Sequence, residues 1–555
     1  MKKDRSYLKS CITTGMLFFF ILIIGSLDHT AVFTAHALQN GVAQTPPMGW
    51  NSWNKFRCGV SETLIKQMAD AMVTSGMKDA GYQYVNIDDC WQTSRDASGK
   101  IVADTVRFPS GMKALADYMH AKGLKLGIYT DIGYQTCEGR PGSRGYYDQD
   151  ASTYAEWGID YVKVDWCYVD PASHSSGTKP DAATWYGEFR NSLLNSGRTI
   201  AYSICNWGEQ APWVWGAQTG NLWRTSGDIY DHWDSITSNI SQNQFLYSYA
   251  GPGAWNDPDM LEVGNGGMTD TEQRSHFSLW SIMAAPLIAG NDISSMTQAT
   301  KDILMNPEVI AVNQDIRGYQ GRVVKEIADG VTIWNKRLLN DNERAVVLFN
   351  GTGAATNITV SWSDIGLLAG GATVRDLWAK SNLGTFSNGY TANVPSHGAV
   401  MLKVVGTHDV NNISIDDPAP TITITNTDDR LISNLKITTD FTINNALHTD
   451  YEVLDYFDQK INLDLNARNG YWNGTAWVGN FLSMKNMSAG LKELTIHRLD
   501  GRYIGGMTVT VEFVSNGAVY KDSHFIGDFN KKINLTLNGS GGSWNGTYWQ
   551  GDFLK

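Results

Sequence analysis

The chain has 555 residues, of which 42% are hydrophobic and 18% are charged, and its formal net charge is −12. A chain of this length is too long for one hydrophobic core, so we expect it to divide into two to four domains. The acidic balance excludes a protein that binds nucleic acid or an anionic membrane through a basic surface, and it is compatible with an uncharged partner.

The first 37 residues have the pattern of an export signal. A basic start is followed by the apolar run MLFFFILIIG (16–25), and Ala35-His36-Ala37 fits a cleavage site with small residues. The apolar run is short for a bilayer span, so an uncleaved N-terminal anchor is the less favoured alternative. Residues 1–37 carry a net charge of +2, which leaves −14 for a mature chain that we expect to be secreted and free of the membrane.

Eight short apolar runs follow, and each ends in polar, chemically capable residues. They are PMGWNSW (47–53), YQYVNIDDC (82–90), KLGIYTD (125–131), DYVKVDWC (160–167), TIAYSICNW (199–207), LWRTSGD (222–228), AWNDPDM (254–260) and PLIAGND (286–292). Helical patterns separate several of these runs, at 61–81, 110–123, 152–158, 184–197 and 271–285. The alternation predicts an α/β chain with a catalytic (β/α)8 TIM barrel over 41–312, whose site lies at the mouth formed by the strand ends.

The sequence beyond the barrel is rich in β-strand patterns. Short alternating runs divided by Gly and Asn predict an antiparallel β-sandwich domain over 313–405, and a polar, Pro-containing linker follows at 406–420. KINLDLNARNGYWNGTAWVGNFL (460–482) then matches KINLTLNGSGGSWNGTYWQGDFL (532–554) at an offset of 72. This repeat predicts two tandem β-rich modules, at 421–483 and 492–555.

Tryptophans recur at equivalent positions of the two repeats, at 472, 477, 544 and 549. One interpretation is that their rings stack on a polysaccharide or a cell-surface glycan. The other is that they form the repeated core of a spacer module, because a buried ring explains the repetition equally well. The sequence leaves both open.

Four cysteines follow consecutive strands in pairs. Cys58 and Cys90 follow the first two strands, and Cys137 and Cys167 follow the third and fourth. Each pair would join loops above neighbouring strands, so two disulfide bonds are expected in an exported protein. Cys205, at the tip of the fifth strand, is expected to be a small buried apolar residue rather than a nucleophile.

Two acidic residues at strand ends suggest the chemistry. Asp165 ends DYVKVDW and Asp228 ends LWRTSGD, and paired carboxylates suit glycosidic cleavage, in which one attacks the anomeric carbon and the other donates a proton. Lys163 shares a strand face with Asp165 and would favour its ionised form. Arg224 precedes Asp228 by four residues. The alternative is a set of ion pairs that closes the top of the barrel.

Asp88 and Asp89 form a second acidic cluster. Two adjacent acids can bind a metal, but no His-containing ligand motif accompanies them, so neither a metal nor another cofactor is expected. Carboxylates beside aromatic rings instead predict a sugar pocket, in which hydroxyls donate to the acids and C–H faces stack on the rings. The rings at neighbouring strand tips are Trp53, Trp91, Tyr129 and Trp207.

Several of these segments together resemble the α-galactosidases (melibiases) of glycoside hydrolase family 27. They are PPMGWNSWNKF, GYQYVNIDDCW, FPSGMKALADYMHAKGLKLGIYTDIG, DYVKVDWC, NLWRTSGDI, YAGPGAWNDPDMLEVGNGGM and VIAVNQD. The resemblance extends over about 41–405 and does not include the C-terminal repeats. The expected disulfides also match the pattern of the family.

The resemblance implies a retaining mechanism with Asp165 as nucleophile, Asp228 as acid and base, and carboxyl groups about 5–5.5 Å apart. It implies that Asp88 and Asp89 accept hydrogen bonds from O4 and O6 of galactose. Lys163 would donate near O3 and O4, and Arg224 near O2. The other implied contacts are Trp53 and Tyr129 as walls, Asp259 and Met260 as floor, and Cys205 and Trp207 beside C2.

The expected substrate is a terminal α-linked galactose of an oligosaccharide or of galactomannan. The bulk of Cys205 and Trp207 favours a hydroxyl over an N-acetyl group at C2, and Asp89 matches the galactose type, whereas related β-L-arabinopyranosidases are expected to carry Glu there. Asn206 departs from the Glu of many relatives. The alternatives are a β-L-arabinopyranosidase, an α-N-acetylgalactosaminidase, and a non-catalytic carbohydrate-binding protein.

Overall fold

The computed structural model describes Leu38, residues 40–170, residues 179–409 and, beyond Asp409, the strands alone. The predicted export signal and residues 410–420 of the predicted linker lie outside the described residues. Within the described part, the longest helix has 14 residues, and no helix is long and apolar enough to span a membrane.

Eight parallel strands form one curled sheet, and a separate hairpin of β3 and β4 lies beside it. The strands are β1 (Met48–Asn51), β2 (Tyr84–Asn86), β3 (Gln92–Arg95), β4 (Ile101–Ala103), β5 (Lys125–Asp131), β6 (Tyr161–Asp165), β7 (Ala201–Cys205), β8 (Leu222–Arg224), β9 (Trp255–Asp257) and β10 (Leu287–Ala289). The order in the sheet is β10-β1-β2-β5-β6-β7-β8-β9. A parallel bridge between Leu261 and Ala289 joins the segment after β9 to β10 and closes the barrel.

The strands are buried along almost their whole length, as expected when side chains fill the barrel on one face and helices cover the other. Close packing inside the barrel explains one glycine. A Cβ at Gly127 would lie 1.8 Å from the side-chain oxygen of Asn86 on the neighbouring strand, so no larger residue fits there.

Helices surround the barrel and occupy most of the connections between strands. They are α1 (Trp53–Phe56), α2 (Glu62–Thr74), α3 (Gly111–Ala121), α4 (Tyr147–Trp157), α5 (Ala182–Asn195), α6 (Pro212–Trp215), α7 (Trp233–Asn243), α8 (Asp270–Ile282), α9 (Gln298–Leu304) and α10 (Pro307–Asn313). Local sequence sets several starts: Ser61 caps α2 through the backbone N–H of Leu64, and Thr269 with Glu272 forms a capping box on α8.

Two of the predicted helices have clearly different bounds in the structure. The pattern at 152–158 belongs to α4, which begins earlier, at Tyr147, because polar residues in its first turns hid the start of the apolar face. The pattern at 61–81 ends at Thr74, and the chain then turns through Gly76 with a φ of 88°. That left-handed conformation is one that glycine adopts without strain.

Eight further strands form the domain after the barrel. They are β11 (Arg322–Ala328), β12 (Val331–Arg337), β13 (Glu343–Asn350), β14 (Thr356–Ser361), β15 (Gly371–Asp376), β16 (Ser381–Ser387), β17 (Gly389–Val394) and β18 (Gly398–Val405). Six of them form the antiparallel sheet β11-β12-β13-β18-β15-β16, and β14 pairs with β17. The domain is joined to the barrel by Arg375, which pairs with Glu308, and by Trp378, whose indole N–H donates to Ser278 Oγ at 2.9 Å.

The C-terminal region contributes thirteen strands in two sheets. They are β19 (Thr421–Asn426), β20 (Ser433–Ile443), β21 (Ala446–Tyr456), β22 (Lys460–Leu465), β23 (Tyr471–Trp472), β24 (Trp477–Val478), β25 (Leu482–Ser488), β26 (Glu493–Arg498), β27 (Met507–Ser515), β28 (Ala518–Ile526), β29 (Ile533–Leu537), β30 (Ser543–Trp544) and β31 (Trp549–Gln550). The sheets have the orders β25-β22-β26-β19-β29 and β23-β24-β21-β20-β27-β28-β31-β30. The side chains of the four repeated tryptophans lie outside the described residues.

The two sequence repeats share both C-terminal sheets. Thr423 pairs with Thr495 in one sheet, and Thr438 pairs with Thr510 in the other, so each pair joins positions that are 72 residues apart. Similarly, β22 pairs in parallel with β26, and their equivalents in the other repeat, β29 and β19, pair in parallel as well. The strands of each repeat therefore complete the sheets of the other, which the expectation of two separate modules did not include.

Candidate active site

The carboxyl ends of the barrel strands bring the predicted site residues to one mouth. Asp165, Cys205 and Arg224 are the last residues of β6, β7 and β8. Asp88 and Asp89 lie two and three residues beyond the end of β2. This convergence follows from the parallel sheet, in which every strand ends at the same rim.

Asp165 is buried, and both of its carboxylate oxygens accept hydrogen bonds. The hydroxyl of Tyr129 donates to Oδ2 at 3.0 Å, and the backbone N–H of Trp166 donates to Oδ1 at 3.1 Å. Burial raises the pKa of Asp165 to about 7, and Lys163 opposes this rise while Asp228 adds to it. Asp165 and Asp228 therefore interact electrostatically across the mouth.

Lys163 lies beside Asp165 on β6 but forms its ion pair with Asp88. Its Nζ donates to Asp88 Oδ2 at 2.9 Å, and the amide of Asn51 donates to the same oxygen at 2.8 Å. Burial disfavours the charged lysine, but Asp88 and further acidic groups outweigh it, so the pKa of Lys163 lies well above its usual value. The lysine is a permanent cation at the pocket.

Asp228 is held by Arg224 and is more exposed to solvent than Asp165. Arg224 Nη2 lies 3.0 Å from Asp228 Oδ1 and 3.0 Å from Asp259 Oδ2. The Arg224 side chain is 2% exposed, whereas that of Asp228 is 66% exposed, because Asp228 lies on the loop four residues beyond the end of β8. Partial desolvation by the neighbouring protein opposes ionisation of Asp228, but Arg224 and Lys163 outweigh this effect and hold the pKa of Asp228 below its usual value.

Asp89 is anchored by backbone donors from two loops. The N–H of Cys90 donates to Oδ1 at 2.6 Å, and the N–H of Glu138 donates to Oδ2 at 3.1 Å. Burial raises the pKa of Asp89 to about 6. The carboxylate is thus fixed in orientation between the loops after β2 and β5.

The remaining predicted contacts differ in their access to solvent. Trp53 and Trp207 are half-buried, whereas Tyr129, Asp259 and Met260 are buried. Most of the side chains expected to touch a ligand are therefore withdrawn from solvent at the strand ends.

Cys205 is a free, fully buried thiol, as the sequence analysis expected. Arg224 Nη1 lies 3.5 Å from its sulfur, and burial raises the pKa of the thiol. The thiol thus packs under the guanidinium of Arg224. Its neighbour Asn206 is also fully buried, and its side-chain N–H donates to the backbone carbonyl of Glu209.

Three site residues have a backbone conformation that non-glycine residues seldom adopt. The φ angles are 76° at Cys90, 54° at Trp207 and 82° at Asp259. Each costs about 1–3 kcal/mol, and such residues concentrate at functional sites, where the surrounding structure holds them. At Asp259 the backbone N–H donates to Asp257 Oδ1 at 2.9 Å, which fixes the turn.

Three residues at the mouth were not singled out from the sequence. Asn51 donates to Asp88, Asp131 accepts from the backbone N–H of Cys167 at 2.8 Å, and Asp257 fixes the turn at Asp259. Burial raises the pKa of Asp257 to about 6. The signal was present, because Asn51, Asp131 and Asp257 are each the last residue of their strands.

The two predicted disulfide bonds are present. Cys58 pairs with Cys90, and Cys137 pairs with Cys167, with a Cα–Cα distance of 5.2 Å in both. Among the described residues, these cysteines belong to the two clusters that have metal-ligand spacing, together with Asp131 and Asp165 in one and Glu138 in the other. Because all four sulfurs are in disulfide bonds, those clusters offer no thiolate to a metal.

A closed parallel barrel defines a glycosidase-type site when its mouth carries a buried carboxylate, a second carboxylate held by arginine and further hydrogen-bonding side chains. Comparison with known proteins agrees. The family described as "Alpha galactosidase A" matches residues 45–315, and "Alpha galactosidase C-terminal beta sandwich domain" matches residues 328–404. The chain therefore belongs to the α-galactosidase (melibiase) family, glycoside hydrolase family 27.

Individual relatives match about two thirds of the chain. An α-galactosidase from Cyamopsis tetragonoloba is 49% identical over 366 residues, which are 65% of this chain and 87% of that protein. The crystal structure of α-galactosidase I from Mortierella vinacea is 41% identical, with a TM-score of 0.63, and covers 67% of this chain and 99% of that one. A β-L-arabinopyranosidase from Geobacillus stearothermophilus is 27% identical, with a TM-score of 0.59, and covers 66% and 98%.

Proposed function

We propose that this protein is a secreted, retaining exo-α-galactosidase that removes terminal α-linked galactose through a covalent galactosyl-enzyme. The observation that carries the proposal is the placement of Asp165 at the end of β6 and of Asp228, held by Arg224, just beyond the end of β8 at the same rim, in a chain of the melibiase family. The polar side chains gathered at this rim support an enzyme that takes a terminal sugar.

In the proposed first step, an oxygen of Asp165 bonds to the anomeric carbon as the bond to the leaving oxygen breaks. Asp228 gives its proton to the leaving oxygen. In the second step, Asp228 takes a proton from water, and the resulting hydroxide displaces Asp165, so the anomeric configuration is retained. This reaction predicts carboxyl groups about 5–5.5 Å apart.

Without a bound sugar, the site favours a proton on Asp165 rather than on Asp228, which is the reverse of what the first step requires. Binding of the sugar must therefore move the proton. Burial favours a protonated Asp165, and Arg224 favours an ionised Asp228. Since the two groups interact, their single proton belongs to the pair. A galactose in the recess would shield Asp228 from water and raise its pKa, and the proton then moves to Asp228, leaving Asp165 ionised beside Lys163.

The sugar contacts proposed from the family resemblance agree with the charges at the site. Asp88 and Asp89 would accept from O4 and O6, and Lys163 would donate near O3 and O4 while neutralising Asp88. Arg224 would donate near O2. The other proposed contacts are Trp53, Tyr129, Asp259 and Met260 around the ring, and Cys205 and Trp207 beside C2.

We also propose that the C-terminal strands bind a polysaccharide. Thr438 pairs with Tyr451 on one side and with Thr510 on the other, and Thr510 pairs with Ser523, so the four side chains share one sheet face. Phe525 shares this face, and it and Tyr451 are exposed, although Lys436 lies 4.2 Å from the centre of the Tyr451 ring. Exposed rings beside a row of hydroxyls support binding of a sugar polymer.

Hydrolysis of three nitrophenyl glycosides tests the proposed specificity. We expect turnover of the α-galactoside to exceed that of the β-L-arabinopyranoside and the α-N-acetylgalactosaminide, and the first released sugar to be α-galactose by proton NMR. Preference for either other glycoside overturns the galactose assignment, and β-galactose as first product overturns retention. Absence of any product favours a non-catalytic binding protein.

A further inference from the structure

Glu262 is a buried carboxylate that the proposed reaction does not use. It lies in the loop between β9 and α8, three residues beyond Asp259, and its side chain is 2% exposed. Its backbone N–H donates to His276 Nε2 at 3.1 Å, which places the segment against α8. A charge-bearing group at this depth requires an explanation, because its burial is unfavourable.

Two amides from different loops donate to this carboxylate. The side-chain N–H of Asn54 in α1 donates to Oε1, and that of Asn265 donates to Oε2 at 2.5 Å. Both oxygens accept amide hydrogens, so the acceptors of the buried carboxylate are satisfied within the protein. Since Asn54 is 208 residues away in sequence, the carboxylate joins parts of the chain that lie far apart.

The joined loops carry residues of the proposed sugar pocket. Asn54 follows Trp53 directly, so fixing its side chain fixes the short helix that presents the proposed wall. On the other side, the loop that contains Asn265 also contains Gly267, whose N–H donates to Asp231 Oδ2. Asp231 lies three residues after Asp228, on the same loop as the proposed acid and base.

We propose that Glu262 is a positioning residue, which fixes the wall that carries Trp53 relative to the loop that carries Asp228. The proposal rests on the proposed roles of those two residues. Because the link acts on sugar placement and not on the reacting atoms, its loss weakens substrate binding more than turnover. Burial raises the pKa of Glu262 to about 7. Asp231 and Asp259 add to this rise, and the hydrogen bonds from Asn265 and Asn54 oppose it.

Glu262→Gln tests the proposal by reversing one hydrogen bond. The new amide has one acceptor and one donor group, so Asn54 or Asn265 must turn its own amide oxygen toward it for both contacts to persist. We expect KM for nitrophenyl α-galactoside to rise about fivefold, with kcat changed by less than about twofold. Adding Asn54→Asp to this variant restores a donor–acceptor pair and is expected to return KM to near its original value.

Glu272→Gln is the matched control, because Glu272 is a carboxylate of the capping box on α8 and also binds His397. We expect this control to lower the melting temperature without a change in KM. An unchanged KM in Glu262→Gln, or no recovery in the double variant, overturns the proposal. If Glu262→Gln does not fold, Asn265→Ala replaces it: a raised KM with retained kcat supports the proposal, and an unchanged KM overturns it.

The control experiments separate this proposal from the proposed function. If Glu262 has no positioning role, the wild-type enzyme still hydrolyses the galactoside and still depends on Asp165. An inactive wild-type enzyme, or full activity after replacement of Asp165, overturns the proposed function instead.

Discussion

Arg224 holds Asp228 and Asp259 through a single nitrogen, with Nη2 at 3.0 Å from an oxygen of each. Only one of these carboxylates is open to solvent, and the buried one, Asp259, also accepts the backbone N–H of Ile229 at 2.9 Å. The guanidinium therefore connects Asp259, in the proposed floor of the sugar site, to the loop that carries the proposed acid. The Nη2 group is suited to this task because it carries two N–H groups, which can be directed to two partners.

Arg224→Lys tests this role of the guanidinium. Lysine keeps the positive charge, but its shorter side chain does not place a nitrogen where Nη2 lies, so the contact with Asp228 weakens and the pKa of Asp228 should rise toward its ordinary value. We expect the acidic limb of the kcat/KM profile to move upward by about half a pH unit or more. Arg198→Lys, which affects the pair with Asp160 at the amino-terminal ends of the strands, is the control.

An acidic limb that stays in place in Arg224→Lys, or that moves equally in Arg198→Lys, contradicts this role of the arginine.

The wild-type pH profile should be bell-shaped, because the reaction needs one proton on the carboxylate pair. Below the lowered pKa of Asp228 both groups are protonated and no nucleophile remains. Above about 7, the pKa to which burial raises Asp165, both are ionised and no acid remains. We therefore expect kcat/KM to fall tenfold per pH unit well above pH 7. Activity that is constant from pH 7 to 9 would rule out the shared proton.

Asp89→Glu tests how the pocket distinguishes a hexose from a pentose. The carboxylate is held by the N–H groups of Cys90 and Glu138, so an added methylene must extend into the space proposed for C6 and O6. We expect kcat/KM for the α-galactoside to fall about tenfold or more, while the β-L-arabinopyranoside is affected less. Asp117→Glu, at an exposed pair with Lys113 on α3, is the control.

If Asp89→Glu lowers both activities by the same factor, the carboxylate does not determine selectivity at C6.

Removal of the C-terminal strands tests the proposed polysaccharide binding. The truncated chain should end after Asp409, because His408 and Asp409 still contact the β-sandwich: Arg344 lies 3.0 Å from His408 Nδ1, and the N–H of Asp409 donates to the carbonyl of Gly366. We expect hydrolysis of galactomannan to fall several-fold, with little change for the nitrophenyl glycoside. An equal change on the two substrates, or none, contradicts a binding role.

The barrel and most of its site were predictable because the relevant information is local. Each buried strand is an apolar run, and the residues at its end, such as Asp165 and Arg224, must reach the common rim. The environment of Asp228 was not predictable in the same way. Asp228 lies beyond the end of β8. Its exposure to solvent and its ion pair with Arg224 therefore depend on the path of the loop.

Contacts between distant segments were also beyond the sequence pattern. Nothing near Glu262 indicates that its partner is Asn54, and the strand pattern does not show that Lys163 pairs with Asp88 rather than with Asp165. In the C-terminal region the offset of 72 revealed the repeat. It did not reveal that Thr438 pairs with its own equivalent, Thr510, because pairing between repeats depends on how whole sheets assemble.

The most direct test of the central claim is azide rescue of Asp165→Gly with a nitrophenyl α-galactoside. The variant should lose activity by about 10³-fold or more, since the covalent step has no nucleophile. Azide should then restore release of nitrophenol and give β-galactosyl azide, identified by proton NMR. Full activity without azide, or an α-configured azide product, would contradict the assignment of Asp165 as the attacking group.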